Sequence, residues 1–153
     1  MRRRLTVLLC VLGIACGGRR TQAPAPATMN DALMQFLDAV KARDVQRMGR
    51  LWGTTRGPAA EWMPDSIVAM RMTVVQRYLS ANGYRIVEGP LSVPGGNERR
   101  LFRVELQRAQ CTHVQPIELV QVRRGGWLVY DVHLESAGGA GAPCKPTVPG
   151  TGP

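Results

Sequence analysis

Aromatic residues and histidines are scarce in this chain of 153 residues, and long apolar runs are absent. Aromatics make up 5% of the sequence and there are two histidines, so stacking platforms for single-stranded nucleic acid are poorly supplied. No apolar run reaches the roughly 18–20 residues that a membrane-spanning helix requires, which excludes a multipass membrane protein. A hydrophobic fraction of 44% with 20% charged residues still permits one domain with a packed core.

Motifs that fix a chemical activity are also missing. Cys111, His113 and His133 are the candidates for a metal cluster. A zinc site requires three or four ligands with supporting partners, and the cysteine has a better use in a disulfide, so no metal is predicted. Two Gly-Gly pairs, at residues 95–96 and 125–126, lack the helix onset and the Lys-Ser/Thr of a phosphate-binding loop and predict hairpin turns. No cofactor is predicted.

The N-terminus has the layout of a bacterial secretory signal. Arg2, Arg3 and Arg4 precede an apolar stretch over residues 5–15 that is too short for a stable membrane span. We therefore predict a signal peptide over residues 1–15 and an exported protein. The alternative is a buried N-terminal strand or helix.

Residues 12–17, Leu-Gly-Ile-Ala-Cys-Gly, resemble the lipobox of bacterial lipoproteins. The resemblance implies that Cys16 carries diacylglycerol and anchors the protein in the cell envelope, in the outer membrane or on the periplasmic face of a membrane. Residues 16–29 would then be the anchor cysteine and a flexible linker. Gly13 stands where a lipobox usually has leucine, so cleavage by an ordinary signal peptidase and secretion as a soluble protein is the alternative.

The remaining cysteines predict a disulfide. Cys10 lies in the signal peptide, which leaves Cys111 and Cys144 as an even pair in an oxidising compartment. A bond closing a loop of about 34 residues stabilises by roughly 3–4 kcal/mol on the chain-entropy account; two free thiols are the alternative. Residues 136–153 are rich in Gly and Pro and are predicted to form a disordered tail.

Helical periodicity covers three segments between residues 30 and 79. Asn30 or Asp31 is expected to cap the first helix and Asp44 the second, while Pro64 opens the third. The apolar stripes expected to be buried are Leu33, Phe36, Leu37 and Val40 in the first helix, Val45, Met48, Leu51 and Trp52 in the second, and Ile67, Met70, Val74, Tyr78 and Leu79 in the third.

After Gly83 the period changes to two, which indicates strands. They are predicted over residues 84–87, 100–108, 112–123 and 127–134, with Pro116 marking a bulge or an edge. Helices followed by an antiparallel meander predict an α+β domain over residues 30–135. Its three helices would pack on one face of a curved, mostly antiparallel sheet of four or more strands.

Two segments resemble the nuclear transport factor two-like superfamily of cone-shaped α+β domains. They are residues 36–44 with Leu51 and Trp52, and residues 120–129 with their Gly-Gly-Trp sequence. The resemblance covers about 105 residues and implies a cone-like fold, but the superfamily contains enzymes and binding domains alike, so it leaves function open.

The fourth predicted strand carries the main site candidate. Trp127, Val129, Asp131 and His133 share one face because side chains alternate along a strand. If that face lines the concave pocket of the superfamily, Asp131 and His133 could act as a general base and its orienting partner; otherwise they face water. Trp52, Trp127 and Val129 are the predicted pocket residues.

Three functional hypotheses remain. The first is a lipid-anchored, non-catalytic binding or accessory domain for a small apolar ligand or an envelope protein. The second is a small cofactor-independent isomerase, dehydratase or cyclase that uses Asp131 and His133. The third is an interaction module for anionic envelope polymers, since the net charge is +9 and the arginines are scattered. No nucleic-acid partner is predicted, and the oligomeric state is left open.

Overall fold

Helices come first in the chain and an antiparallel sheet follows, which confirms the α+β class. The computed structural model describes residues 23–109 and 111–136. Within them the α-helices are α1 (Met29–Lys41), α2 (Val45–Leu51) and α3 (Asp65–Leu79). A small antiparallel pair of strands, β1 (Gly53–Thr54) and β2 (Gly57–Pro58), lies between α2 and α3 in the chain. The main sheet is open and has four strands in the order β3 (Gly83–Val93), β4 (Gly96–Arg108), β5 (Cys111–Gln121), β6 (Trp127–Asp131).

Several predictions fall outside the described residues. They are the signal peptide, the lipobox cysteine Cys16, the disulfide partner Cys144 and the Gly/Pro-rich tail, all of which stay predictions. Among the helices that the structure does describe, none is long and apolar enough to cross a membrane.

The helix starts follow capping chemistry, with one correction. Asp44 caps α2 as predicted, since its Oδ1 accepts a hydrogen bond from the Arg47 N–H at 2.8 Å. The prediction that Asn30 or Asp31 caps α1 was wrong. Thr28 has extended backbone angles and its hydroxyl accepts from the Asp31 N–H at 3.1 Å, so the helix begins at Met29.

Helix and sheet residues share one apolar core. The predicted stripe of α1, which includes Leu33 and Phe36, is buried in the same apolar cluster as Phe102 of β4 and Ile117 of β5. A parallel bridge between Trp52 and Val129 fixes the end of α2 beside β6.

The buried face of α3 is only partly the predicted one: Leu79 is buried as predicted and Ile67 and Tyr78 are half-buried, but Met70 and Val74 are not covered. Val68, Met72, Val75 and Leu79 face the core, whereas Met70 is 58% exposed and Val74 is 44% exposed. Both sets have helical spacing, so α3 carries two neighbouring apolar stripes, and periodicity alone does not say which one is covered. Packing against α2 decides which stripe is covered. Gly49 of α2 has no side chain and lets Val68 approach closely, since an ideal Cβ on Gly49 would lie 2.5 Å from Val68 Cγ1.

The strands also differ in length from the prediction. β3 extends to Val93 and β4 begins at Gly96, so the first hairpin is longer than expected, while β6 ends at Asp131 rather than at residue 134. Pro116 pairs with Arg103 in an uninterrupted register and forms no bulge there. It lies before Glu118, where the pairing of β5 with β6 begins, so the edge interpretation fits.

The end of the predicted linker lies against the outer face of the sheet. Ala25 packs on a second small apolar cluster formed by Val120, Val122 and Leu128. The Pro26 carbonyl accepts a hydrogen bond from the Trp127 N–H at 2.8 Å. This contact places the segment beside the first residue of β6.

Candidate functional site: an apolar cleft between α3 and β6

The exposed apolar stripe of α3 forms one wall of a cleft that we call the α3–β6 cleft. Its volume is about 350 Å³. Met70 and Val74 supply the α3 wall, and Tyr130 and Leu134 supply the wall formed by β6 and the residues after it. Trp52, Arg71 and Asp131 also line it, so this surface is largely apolar with one cation and one carboxylate.

Trp52 is held in place from three directions. Its indole Nε1–H donates to the Tyr130 carbonyl at 3.1 Å. The Arg71 guanidinium carbon lies 5.7 Å from the centre of the indole ring, within cation–π range. Together with the backbone bridge to Val129, these contacts give the cleft a rigid aromatic wall.

A smaller pocket of about 260 Å³ continues the cleft; we call it the Trp62 pocket. It shares Trp52, Arg71, Tyr130 and Asp131 with the α3–β6 cleft. Trp62, which is 43% exposed, forms its outer wall. The shared residues make the two pockets one continuous surface depression.

The three predicted pocket residues have separate locations. Trp52 lines both depressions. Val129 is fully buried in the core, and Trp127 is half-buried and packed against that core. Neither is among the described residues that line the α3–β6 cleft or the Trp62 pocket.

Asp131 and His133 do not form a hydrogen-bonded pair with each other. Asp131 is exposed, lines the cleft, and accepts from the Val132 N–H at 2.7 Å. His133 lies between two glutamates, with its Nδ1 3.0 Å from Glu135 Oε1 and its Nε2 3.3 Å from Glu118 Oε1. Both ring nitrogens therefore have carboxylate partners, and neither is free to take a proton from a substrate.

The end of β6 explains this placement. Strand pairing stops at Asp131, and His133 has a φ of 25°, so alternation no longer determines its face. The fully buried Gln115 on β5 replaces the missing ladder, since its amide Nε2 lies 3.0 Å from both the Val132 and the His133 carbonyl oxygens. Gln115 thereby fixes the backbone that carries His133.

Glu118 is a buried carboxylate with two partners. Its side chain is 8% exposed, and Arg99 Nη1 lies 3.1 Å from its Oε2 while His133 contacts its Oε1. The Arg99 guanidinium carbon also lies 5.3 Å from the centre of the Tyr130 ring. Burial of a carboxylate is tolerated when it is paired in this way. Glu118, Arg99 and His133 therefore form a charged cluster that supports the structure behind the cleft.

Burial pulls the pKa of His133 down, but its partners more than reverse the shift. The hydrogen bond with Glu135 and the negative charges of Asp131 and Glu118 favour the imidazolium, so the net pKa is raised above the usual 6.5. The pKa of Glu135 is lowered, first by its own backbone hydrogen bond and then by His133. The protonated histidine and its carboxylates therefore stabilise one another.

We expect stability to fall as the pH rises from about 6.5 upward. A raised folded-state pKa means that the contribution of His133 is complete below its unfolded pKa and is lost as the pH passes the folded value. The measurement is the urea midpoint between pH 6 and pH 9. His133→Asn should reduce the slope of stability against pH. Equal slopes in His133→Asn and the parent protein would contradict the assignment.

Glu118, Arg99 and Gln115 are site residues that the sequence reasoning missed. A signal was present, because Gln115 and Glu118 are polar residues in the run over residues 114–120, which is otherwise made of apolar residues and Pro116. Buried polar residues in such a strand usually have hydrogen-bond partners, as Gln115 Nε2 and the Glu118 carboxylate do. Arg99 carried no comparable signal, since it is one of many arginines.

A polar pocket of about 270 Å³ lies at the carboxyl ends of α1 and α3. Lys41, Arg43 and Arg108 line it. The Arg108 Nη2–H donates to the Tyr78 carbonyl at 2.7 Å and the Tyr84 hydroxyl to the Leu79 carbonyl at 3.0 Å. Burial raises the pKa of Tyr84 to about 12, against the opposing charge of Arg108. These groups satisfy helix-end carbonyls and balance the helix dipoles, which accounts for the positive charge there.

The described residues contain no group of three or more His, Cys, Asp or Glu side chains that could hold a metal ion. The arrangement offers an apolar cleft with fixed aromatic walls and a braced charge cluster behind it. Comparisons with protein-family models, with curated proteins and with solved structures found no match for this chain.

Proposed function

We propose that this chain is a non-catalytic binding domain that holds an elongated apolar molecule in the α3–β6 cleft. The observation that carries the proposal is the exposure of Met70 and Val74 side by side with Tyr130 and Trp52. Large apolar side chains are normally buried, and a concave group of them on a surface is typical of a ligand site. The volume of about 350 Å³ suits a small molecule or a single alkyl chain.

The geometry supports binding over proton transfer. Both nitrogens of His133 face carboxylates, and Asp131 is exposed and hydrogen-bonded to backbone. A general base needs hydrogen-bond access to the proton it removes and an orienting partner. An isomerase, dehydratase or cyclase reaction through these two residues would require the cluster to open first.

The finer fold and the cellular setting belong to the same proposal. The shared helix–sheet core supports a cone-like arrangement with the helices on one face of the sheet, as in the nuclear transport factor two-like superfamily. The sequence of residues 1–16 supports export and acylation of Cys16 in the cell envelope, where Cys111 and Cys144 would form a disulfide. In that setting an apolar ligand would be drawn from, or delivered to, lipid.

The test is binding of 1-decanol to the protein containing residues 17–153. Calorimetry and tryptophan fluorescence measure the binding. We expect saturable binding, and Met70→Gln should weaken it about five-fold because part of the apolar contact is lost. Met34→Gln is the matched control, since Met34 is also an exposed helical methionine but lies on α1 outside the cleft. Absence of saturation, or equal loss in both variants, would contradict the proposal.

A further inference from the structure

A second, larger groove adjoins the cleft; we call it the arginine groove. Its volume is about 660 Å³, and three separate parts of the fold each contribute one arginine to it. Arg56 comes from the turn between β1 and β2, Arg99 from β4, and Arg123 from the segment after β5. Of the described residues that line it, one, Glu98, is acidic.

Two of these arginines have guanidinium groups without a carboxylate partner. Arg99 is paired with the buried Glu118, whereas the Arg56 guanidinium lies over the Trp62 ring, 5.7 Å from its centre. Arg123 is anchored through its backbone, since its N–H donates to the Thr55 carbonyl at 2.9 Å. Among the described residues, neither Arg56 nor Arg123 has an ion pair with an acidic side chain, so both can receive an anion.

The arginine groove is continuous with the apolar surface. Tyr130 lines the groove, the Trp62 pocket and the α3–β6 cleft, and Thr54 lines both the groove and the Trp62 pocket. A path therefore runs from Met70 and Val74, past Trp52 and Tyr130, to the arginines. The α3–β6 cleft is mostly apolar, with Arg71 and Asp131 as its charged lining residues, and the groove at the other end is mostly cationic.

We propose that the ligand is an anionic amphiphile, an alkyl chain with a phosphate head, bound with its chain in the α3–β6 cleft and its head in the arginine groove. The proposal rests on the proposed function and adds the chemical class of the ligand. Guanidinium groups bind phosphate through charge-assisted, often paired, hydrogen bonds. The Thr54 and Thr55 hydroxyls at the groove offer further donors. An uncharged chain would use only the apolar half of this surface.

The test compares three probes by calorimetry, each below its aggregation concentration: decyl phosphate, 1-decanol and inorganic phosphate. We expect decyl phosphate to bind at least about ten-fold more tightly than 1-decanol, and this ratio to shrink at high salt. Arg56→Gln and Arg123→Gln should each reduce the ratio by about five-fold. Met70→Gln should weaken both decyl compounds and keep the ratio.

Arg85→Gln is the matched control, because Arg85 is an exposed arginine on β3 outside the groove, and it should keep the ratio. Equal binding of decyl phosphate and 1-decanol, unaffected by either arginine variant, would overturn the amphiphile proposal and leave the apolar binding function standing. Inorganic phosphate binding as tightly as decyl phosphate would overturn it too, because the groove would then be a site for the free anion. Failure of both decyl compounds to bind would remove the proposed function itself.

Discussion

Phe102→Ala is expected to lower the free energy of unfolding by about 3–5 kcal/mol, the largest effect that we predict for a single substitution. Phe102 is 1% exposed and lies on β4, an inner strand of the sheet. Its ring also fills the space beside Gly89, where an ideal Cβ would lie 2.8 Å from Phe102 Cδ1. Removing the ring would leave a cavity that rigid strands on both sides cannot close.

The matched control is Arg103→Ala on the same strand. Arg103 points to the opposite face, its side chain is 52% exposed, and it pairs with the exposed Glu88. Surface ion pairs contribute about 0–1 kcal/mol, so this variant should stay close to the parent protein. Urea denaturation of the three proteins measures the difference. Losses of similar size in both variants would contradict the placement of Phe102 in the core.

Gly53→Ala is expected to destabilise the domain by about 2–3 kcal/mol and to weaken decanol binding. An ideal Cβ at Gly53 would lie 2.3 Å from the Gly57 carbonyl oxygen and 2.9 Å from Pro58 Cα. Both atoms belong to the backbone of β2, so β1 and β2 would have to separate. Because Trp52 directly precedes β1, the aromatic wall of the α3–β6 cleft would shift with them.

Gly95→Ala serves as the comparison for this substitution. Nothing lies within 4 Å of an ideal Cβ at Gly95, although its φ of +71° costs an alanine about 1 kcal/mol. Chemical denaturation should therefore rank Gly53→Ala as less stable than Gly95→Ala, and calorimetry should show reduced decanol affinity for the first. Equal stability with unchanged affinity would mean that the β1–β2 pair tolerates the extra carbon.

The class of fold was predictable because it depends on local periodicity. The stripe of α1 and the alternation of β4 each have one apolar side, so burial follows directly from the pattern. The cap by Asp44 was equally local. In these segments only one face could be covered, and the structure covers it.

The cleft was not predictable, because α3 has two apolar stripes. The choice between Met70 with Val74 and Val68 with Met72 depends on how closely α2 approaches at Gly49, which is a property of the tertiary packing. The pattern favoured burial of the stripe that the structure exposes. That exposed stripe, with Met70 and Val74, is the one that lines the α3–β6 cleft.

The prediction that His133 shares a face with Val129 and Asp131 was wrong for a related reason. Alternation assigns faces only while a strand continues, and β6 ends two residues before His133. Beyond that point the side-chain amide of Gln115 binds the Val132 and His133 carbonyls, which lie 17 and 18 residues away in the chain. Long-range hydrogen bonds of this kind leave no local trace in the sequence.

The two borders of the sheet limit how a macromolecular partner could attach. On the β3 side, Pro90 offers no N–H, and three irregularities in register break the row of unpaired backbone groups. On the β6 side, the Trp127 N–H is already taken by the Pro26 carbonyl, and Trp52 bridges Val129. A peptide seeking to extend the sheet as a fifth strand would meet an irregular border or an occupied one. An added strand would therefore find few regular, unoccupied backbone groups at either border of the described sheet.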